Sequence, residues 1–467
     1  MDKKTIKKIG SVVGTENITA EKEDLLCYSY DGSGLEYLPS AVVFPASTSE
    51  VSAIMKLATD IGLPVVPRGA GTGMTGGSLP VQGGLVMAMS RFDRILEIDD
   101  GNQVAVVEPG VITGRFQDEV RKTGLFYPPD PASHKFCTIG GNVAECAGGP
   151  RAVKYGVTRD YVLGLEAVLP DGQIIHTGVR TAKGVAGYDL TRLLVGSEGT
   201  LAIITKVILR LLPAPPSSAT FLLVFDSLVQ ATTMVSRILS KMTPCTLEYM
   251  DRTAIKVVAE DIPLRLPEET EALLLIELDG DTEVVKLQSE TLKTFLENRP
   301  GLLEVHRAED QAAADRLWTA RRAISPSTFK LKPHKIGEDV VVPRTLIPEL
   351  VAFTEGLSAR EEVIILTFGH AGDGNIHVNI MLDRDNQTEE AAGERAKAAL
   401  FAQVIKLGGT ITGEHGVGIT KSAFLENEID GPTIQVMKTI KKAFDPLNIL
   451  NPGKIFTPAP EVNKHQQ

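Results

Sequence analysis

The sequence predicts an α+β protein of at least two structural units, and three observations carry that expectation. At 467 residues the chain exceeds the roughly 250–300 residues over which one hydrophobic core keeps growing. Short strand-like and helix-like runs alternate along it instead of forming one long periodic block. Pro213-Ala214-Pro215-Pro216-Ser217-Ser218 interrupts the alternation near the middle, where the composition changes. A hydrophobic fraction of 43%, a charged fraction of 23% and 43 glycines exclude disorder, collagen-like repeats and a coiled coil. A net charge of −11 repels phosphate backbones, so nucleic acid is not an expected partner.

Taken in order, residues 41–44 form a short apolar strand, and residues 48–61 place Val51, Ile54, Leu57, Ala58 and Ile61 on one helical stripe. Residues 64–67 are a second strand. It ends at Arg68 and opens into Gly69-Ala70-Gly71-Thr72-Gly73-Met74-Thr75-Gly76-Gly77-Ser78, the most glycine-dense stretch of the chain. Runs at 84–89, 94–98 and 104–108 read as strands, and 111–123 as a helix. Pro128-Pro129-Asp130-Pro131 leads to Thr138-Ile139-Gly140-Gly141-Asn142 and Ala147-Gly148-Gly149, and residues 187–199 make a third small-residue loop. Three such loops between short strands suggest one extended ligand wrapped by backbone.

Beyond the proline break, residues 220–410 alternate strands (272–278, 364–368) with helices (227–242, 281–297), a mixed α+β unit. Residues 433–444 are a helical stripe closed by Asp445-Pro446. Leu450-Asn451-Pro452-Gly453-Lys454 is a sharp turn, and the chain after about Pro458 reads as a loose tail. The expected division is 1–215, with a core from about residue 35, then 216–410, then 411–467.

Cys27, Cys137, Cys146 and Cys245 include no C-x-x-C pair, which speaks against an iron-sulfur cluster or a structural zinc within this chain and for reduced thiols. The first ten residues lack the apolar core of a signal peptide, and no run of about eighteen apolar residues occurs. The cytoplasm is the expected compartment, with peripheral membrane attachment through a partner left open.

Gly71-Thr72-Gly73-Met74-Thr75-Gly76 matches the dinucleotide pattern G-x-G-x-x-G. A Rossmann loop must open a helix, yet Gly77-Ser78-Leu79-Pro80-Val81-Gln82-Gly83-Gly84 follows and forms none, so that fold is rejected. The Walker loop fails too, because no Gly-Lys-Ser/Thr follows. What remains is a nest of backbone N–H groups with Arg68, Thr72, Thr75 and Ser78 nearby, suited to a pyrophosphate. The alternative is a glycine-rich turn without a ligand.

The chain has eight histidines. His370 and His377 flank Gly372-Asp373-Gly374-Asn375, and the strand before and the alternation after this turn signal a hairpin that brings the two rings together. Glu414 and His415 arrive from another glycine-flanked loop. Two imidazoles and a carboxylate suit zinc, manganese or iron(II). The plainer alternative is that each histidine is hydrogen-bonded beside a turn.

Pro67-Arg68-Gly69-Ala70-Gly71-Thr72-Gly73, Pro128-Pro129-Asp130-Pro131, Thr138-Ile139-Gly140-Gly141-Asn142, Gly196-Ser197-Glu198-Gly199-Thr200-Leu201 and Leu450-Asn451-Pro452-Gly453-Lys454 resemble the FAD-binding segments of vanillyl-alcohol oxidase (PCMH) type flavoproteins. More narrowly, residues 35–456 are similar to the group of the glycolate oxidase FAD subunit, D-lactate dehydrogenase and D-2-hydroxyglutarate dehydrogenase. The resemblance implies an FAD domain of two α+β subdomains, an α+β substrate or cap domain, and a C-terminal segment that returns to the flavin. It assigns Arg68, Gly69, Gly71, Thr72, Gly73, Thr75, Gly76, Gly77 and Ser78 to the pyrophosphate. Pro129, Asp130, Thr138, Gly140, Gly141, Asn142, Gly148, Glu198 and Gly199 would line the flavin or adenosine, and Asn451 would approach the isoalloxazine. Residues 66–80 contain no histidine for covalent attachment, so dissociable FAD is expected.

The same resemblance gives a metal to His370, His377 and Glu414, a general base to His415, and the substrate carboxylate to Arg321 at the W-x-x-R position of Leu317-Trp318-Thr319-Ala320-Arg321-Arg322. Relatives acting on larger diacids carry a lysine just before the strand containing Asp339-Val340-Val341. Here Gly337 and Glu338 stand there, with Lys335 out of register, which favours lactate or glycolate over 2-hydroxyglutarate. The expected activity is oxidation of a small D-2-hydroxy acid by FAD with a divalent metal. Electrons would pass to an electron-transferring flavoprotein, an iron-sulfur subunit or a quinone-linked carrier. A metal hydrolase and a noncatalytic flavin subunit are the alternatives.

Overall fold

Ser47 accepts a hydrogen bond from the Glu50 N–H at 3.3 Å, capping a helix that runs Thr48–Ile61 and stops where Gly62 turns left-handed. Its inner stripe, Val51, Ile54, Met55 and Ala58, is fully buried. It packs with Val43, Val65, Leu85 and Met87 from the neighbouring strands. The larger of these side chains, such as Val51, Ile54 and Met55, each contribute about 1.5–3 kcal/mol when removed from water. This is the computed structural model of the chain, and it describes residues 1–456; the expected tail after about Pro458 lies outside the described residues.

The chain divides into two units. The first comprises Met1–Gly148, Val157–Ala214 and the described residues from Glu414 to Phe456. It holds a four-stranded sheet in the order Ile18–Thr19, Ala41–Val43, Leu85–Ala88, Val65–Arg68, whose last three strands are parallel. An antiparallel five-stranded sheet follows the order Ile95–Asp99, Val104–Val107, Ile203–Arg210, Val162–Val168, Ile174–Gly178. The C-terminal segment returns to the first sheet: Val65 N–H donates to Ile449 O and Asn451 N–H to Val65 O, both at 2.8 Å.

Two stretches expected to be loops contain helix. Thr138 caps Ile139–Glu145 by accepting the Gly141 N–H at 3.2 Å, and Asp189 caps Leu190–Leu194 by accepting the Arg192 N–H at 3.0 Å. Glycines 140 and 141 made the first of these read as a loop. A side-chain cap supplies the acceptor that the first helical turn lacks, and so offsets the poor helix propensity of glycine over so short a run.

The second unit is Gly149–Gly156 with Pro215–Gly413. Its seven-stranded antiparallel sheet has the order Leu302–Arg307, Ser217–Phe225, Ala272–Gly280, Thr246–Asp251, Ile364–His370, Asn375–Leu382, His334–Val341. The strand Ala272–Gly280 opens with a continuous apolar run, Ala272 to Ile276, because both faces are covered. On one face the helix Gln311–Ser327 packs Leu317, Trp318 and Ile324 against Leu222, Val224, Met250, Leu366, Phe368 and Met381. On the other, the helix Gln387–Lys406 approaches so closely that a Cβ on Gly393 would strike Leu382.

Candidate active site

Strand alternation decides which side chains of the second unit meet. Asp339 pairs with His377, Gly337 with Asn379 and Lys335 with Met381, while Phe368 also opposes His377 and His370 opposes Asn375. Met250 opposes Phe368, so Glu248, two residues earlier, shares that face. The helix Gln311–Ser327 covers the same face and turns Arg321 inward while Arg322 stays exposed.

The tight turn between His370 and His377 forms, and the two Nε2 atoms stand 3.4 Å apart with the rings nearly perpendicular at 85°. Two nitrogens bound to one tetrahedral metal at 2.0–2.1 Å are separated by about 3.3–3.4 Å, so the pair has the spacing of two ligands on one ion. His370 is oriented from behind. Its Nδ1 lies 2.7 Å from Glu248 Oε1, and since a carboxylate only accepts, Nδ1 carries a hydrogen and Nε2 is the nitrogen turned to His377.

Glu248 is fully buried, and its other oxygen sits 2.6 Å from Arg321 Nη2. Burial works to raise its pKa, but the His370 and Arg321 charges overcome this and hold it below the ordinary glutamate value. Arg321 is itself buried, with its guanidinium 4.8 Å from the centre of the Phe368 ring. Its Nε–H has no protein acceptor among the described residues, leaving one arm of the fork open on the histidine face. Asn375 on the same face is buried with both amide atoms unfilled.

Lys335 corrects the sequence reading that set it out of register. Residues 335 and 337 point to the same face because strands alternate with period two, and Gly337 has no side chain to occupy the space. The lysine stem therefore lies over Gly337, close enough that a Cβ there would be 3.5 Å from Lys335 Cε. The ammonium reaches Ser325 Oγ at 3.1 Å, one helical turn beyond Arg321. No carboxylate among the described residues pairs with it, and burial pushes its pKa down.

Asp339 straps the end of this unit. Its carboxylate accepts from Thr412 Oγ1 at 3.1 Å and from the Gly413 N–H at 2.9 Å. A Cβ on Gly413 would collide with the Asn375 amide. Since Asp339 faces His377, Thr412 and Gly413 are held at the histidine end of the sheet.

In the first unit, the glycine loop has a cradle's chemistry. Thr75, Gly76 and Gly77 are buried, yet their N–H groups donate to no protein acceptor among the described residues. Arg68 staples the loop, donating to Tyr30 O at 2.7 Å and Ser78 Oγ at 3.2 Å. Gly69 lies against the Thr138 hydroxyl, so a helix N-terminus does meet the loop, supplied from some seventy residues downstream. Pro129 O accepts from Gln117 Nε2 at 2.8 Å, and Gly148 packs against the Glu414 carboxylate. These residues fit an extended cofactor with phosphates.

The resemblance sets Glu198 and Asn451 against the cofactor, and here both also bind protein. Glu198 accepts the Val417 and Gly418 N–H groups at 2.8 and 2.7 Å, while Asn451 Nδ2 donates to Gly77 O and Glu198 O at 2.8 and 2.7 Å. Thr75 donates to the His415 carbonyl at 3.1 Å. The loop, the segment after Glu414 and the returning tail are thereby stitched together. Burial lowers the Lys454 pKa to about 8, opposed by Glu198 and Asp31, and its ammonium donates to Leu79 O at 2.6 Å. Sequence reasoning missed Glu248, Asp339 and the stitching by Glu198. A lone acid in an apolar strand, Leu247-Glu248-Tyr249, was the available signal, because a buried charge needs partners.

The four cysteines are free thiols. No helix among the described residues is long and apolar enough to cross a membrane.

Residues 39–178 match the FAD binding domain family, and residues 214–455 match the FAD linked oxidases C-terminal domain family. The glycolate oxidase subunit GlcD of Bacillus subtilis is 45% identical over 447 residues, 95% of each chain. A D-lactate dehydrogenase of Anaerostipes hadrus is 36% identical over 438 residues, 89% of each chain. Glycolate oxidase subunit GlcD of Escherichia coli is 36% identical, covering 92% of this chain and 87% of that one. Among solved structures, p-cresol methylhydroxylase is 18% identical with a TM-score of 0.80, covering 97% of this chain and 96% of that one. The 4-ethylphenol oxidase of Gulosibacter chungangensis is 20% identical with a TM-score of 0.78 over 97% of each chain, and both likenesses speak to the fold alone. The chain belongs to the FAD-linked oxidases, and it is an FAD-dependent oxidoreductase.

Proposed function

We propose that the chain oxidises a small D-2-hydroxy acid, D-lactate or glycolate, to the 2-oxo acid. The observation that carries this reading is the single buried carboxylate, Glu248, that joins a guanidinium with an open N–H to a histidine pair at metal-ligand spacing. Bound FAD supplies the acceptor for the C2 hydride, and a divalent metal supplies a Lewis acid for the hydroxyl. His370, His377 and Glu414 would hold the metal. Arg321 takes the substrate carboxylate through its open arm, and His415 accepts the hydroxyl proton. The described cysteines include no cluster spacing, so electrons leave to a separate acceptor: an electron-transferring flavoprotein, an iron-sulfur subunit or a quinone-linked carrier.

Anaerobic mixing with a panel of D- and L-2-hydroxy acids tests the reading. Bleaching of the flavin by D-lactate or glycolate is expected, and its survival against every short acid would sink the proposal. Lys335 favours a second reading, in which the substrate carries a distal acceptor. Under it a D-2-hydroxy diacid bleaches the flavin faster than lactate, and Lys335→Met removes that advantage while sparing lactate.

The flavin is held without a covalent bond. Acid precipitation should leave it in the supernatant, and a yellow pellet would contradict this. Gly76 has a φ of 79°, and a Cβ there would strike Ile419. Gly76→Ala, strained by about 1–3 kcal/mol, is expected to weaken FAD binding roughly tenfold or more. Fluorescence titration of apoprotein with FAD measures it, and unchanged affinity would place the cradle elsewhere.

A further inference from the structure

We propose that Glu248 is a positioning residue that couples metal affinity to the state of Arg321, so that the metal site and the substrate-carboxylate site are one energetic unit. The inference rests on the metal reading above. Glu248 stands on a central strand, fully buried, and its two oxygens have different partners: Oε1 holds His370 Nδ1 at 2.7 Å and Oε2 holds Arg321 Nη2 at 2.6 Å. One delocalised charge serves both bonds. Whatever strengthens one partner's claim weakens the other's.

The consequences have a sign. A cation on His370 Nε2 makes the Nδ1 hydrogen more acidic and draws the carboxylate towards it. The grip on Arg321 slackens, and the guanidinium becomes freer to take a substrate carboxylate. Conversely, removing Arg321 leaves the whole Glu248 charge to His370, which makes that imidazole a better donor. Among the described residues, Arg321 pairs with Glu248 and lies over the Phe368 ring. Its effect on metal binding therefore has to pass through Glu248 or act as a bare charge.

The FAD-loaded protein, stripped with a chelator, is titrated with Zn2+ and separately with Mn2+ against a competing chelator. The variants are Arg321→Met, Glu248→Gln and the double variant. Arg321→Met is expected to tighten metal about threefold or more, and Glu248→Gln to loosen it roughly 10- to 100-fold. In the Glu248→Gln background the Arg321→Met tightening should fall to a third or less, a non-additivity that a double-mutant cycle reads directly. Glu248→Gln should also raise KM for the hydroxy acid through the loosened metal, and saturating metal should restore it, which a purely structural lesion would not allow.

Arg321→Met binding metal within twofold of the natural protein would overturn the proposal. Equal tightening in both backgrounds would overturn it too, because Arg321 would then act as a bare charge. If Glu248→Gln does not fold, Arg321→Lys decides, since it keeps the charge but not the fork: a bare charge predicts unchanged metal affinity, whereas the coupling through Glu248 predicts tightening. Natural protein that binds neither ion would defeat the metal reading itself, an outcome distinct from binding that Arg321 does not influence.

Discussion

Chelation of the metal, or replacement of His377 by alanine, is expected to lower turnover of a 2-hydroxy acid by about a thousandfold while leaving the flavin bound. Loss of a Lewis acid worth several kcal/mol corresponds to roughly three powers of ten, at about 1.36 kcal/mol each. The flavin should persist because the glycine loop and its stitching to Glu198 and Asn451 belong to the first unit, whereas His377 stands on a strand of the second. Two readings check this: flavin absorbance per protein, and the rate of anaerobic bleaching before and after Zn2+ or Mn2+ is restored. A chelated enzyme that reduces its flavin at the original rate would end the metal assignment.

Replacing His415 with alanine is expected to slow the reductive step by about 10²- to 10⁴-fold, the range for loss of a positioned base. The loop should survive, since it is the His415 carbonyl, and not the ring, that Thr75 holds. The ring works only unprotonated, so the rate of the natural protein should fall as pH drops through the base's titration, and this acid limb should flatten in the variant. Added imidazole should restore part of the rate. A variant with full activity and an unchanged acid limb would move the base elsewhere.

The hairpin bearing His370 and His377 was legible because strand alternation and Asp-Gly and Gly-Asn turn signals are local, and a seven-residue spacing across a tight turn leaves the rings few other places. Arg321 was legible by register in its helix. The helix at Ile139–Glu145 was not, because glycines 140 and 141 hide a segment whose start depends on the Thr138 cap. Lys335 was misplaced by counting positions along a strand without asking which face each one shares.

The sequence by itself determined the α+β class, the cradle of glycines and the types of ligand atom available, since these follow from local periodicity, backbone freedom and side-chain chemistry. Only the tertiary structure decided that Glu248 joins His370 to Arg321 across strand and helix, that Lys335 crosses the gap left by Gly337, and that the helix capped by Thr138 meets the loop at Gly69. Apart from the contact of Lys335 with Gly337, those meetings span roughly seventy to more than a hundred residues of chain. Sheet pairing order and helix packing set them, and no local pattern encodes either.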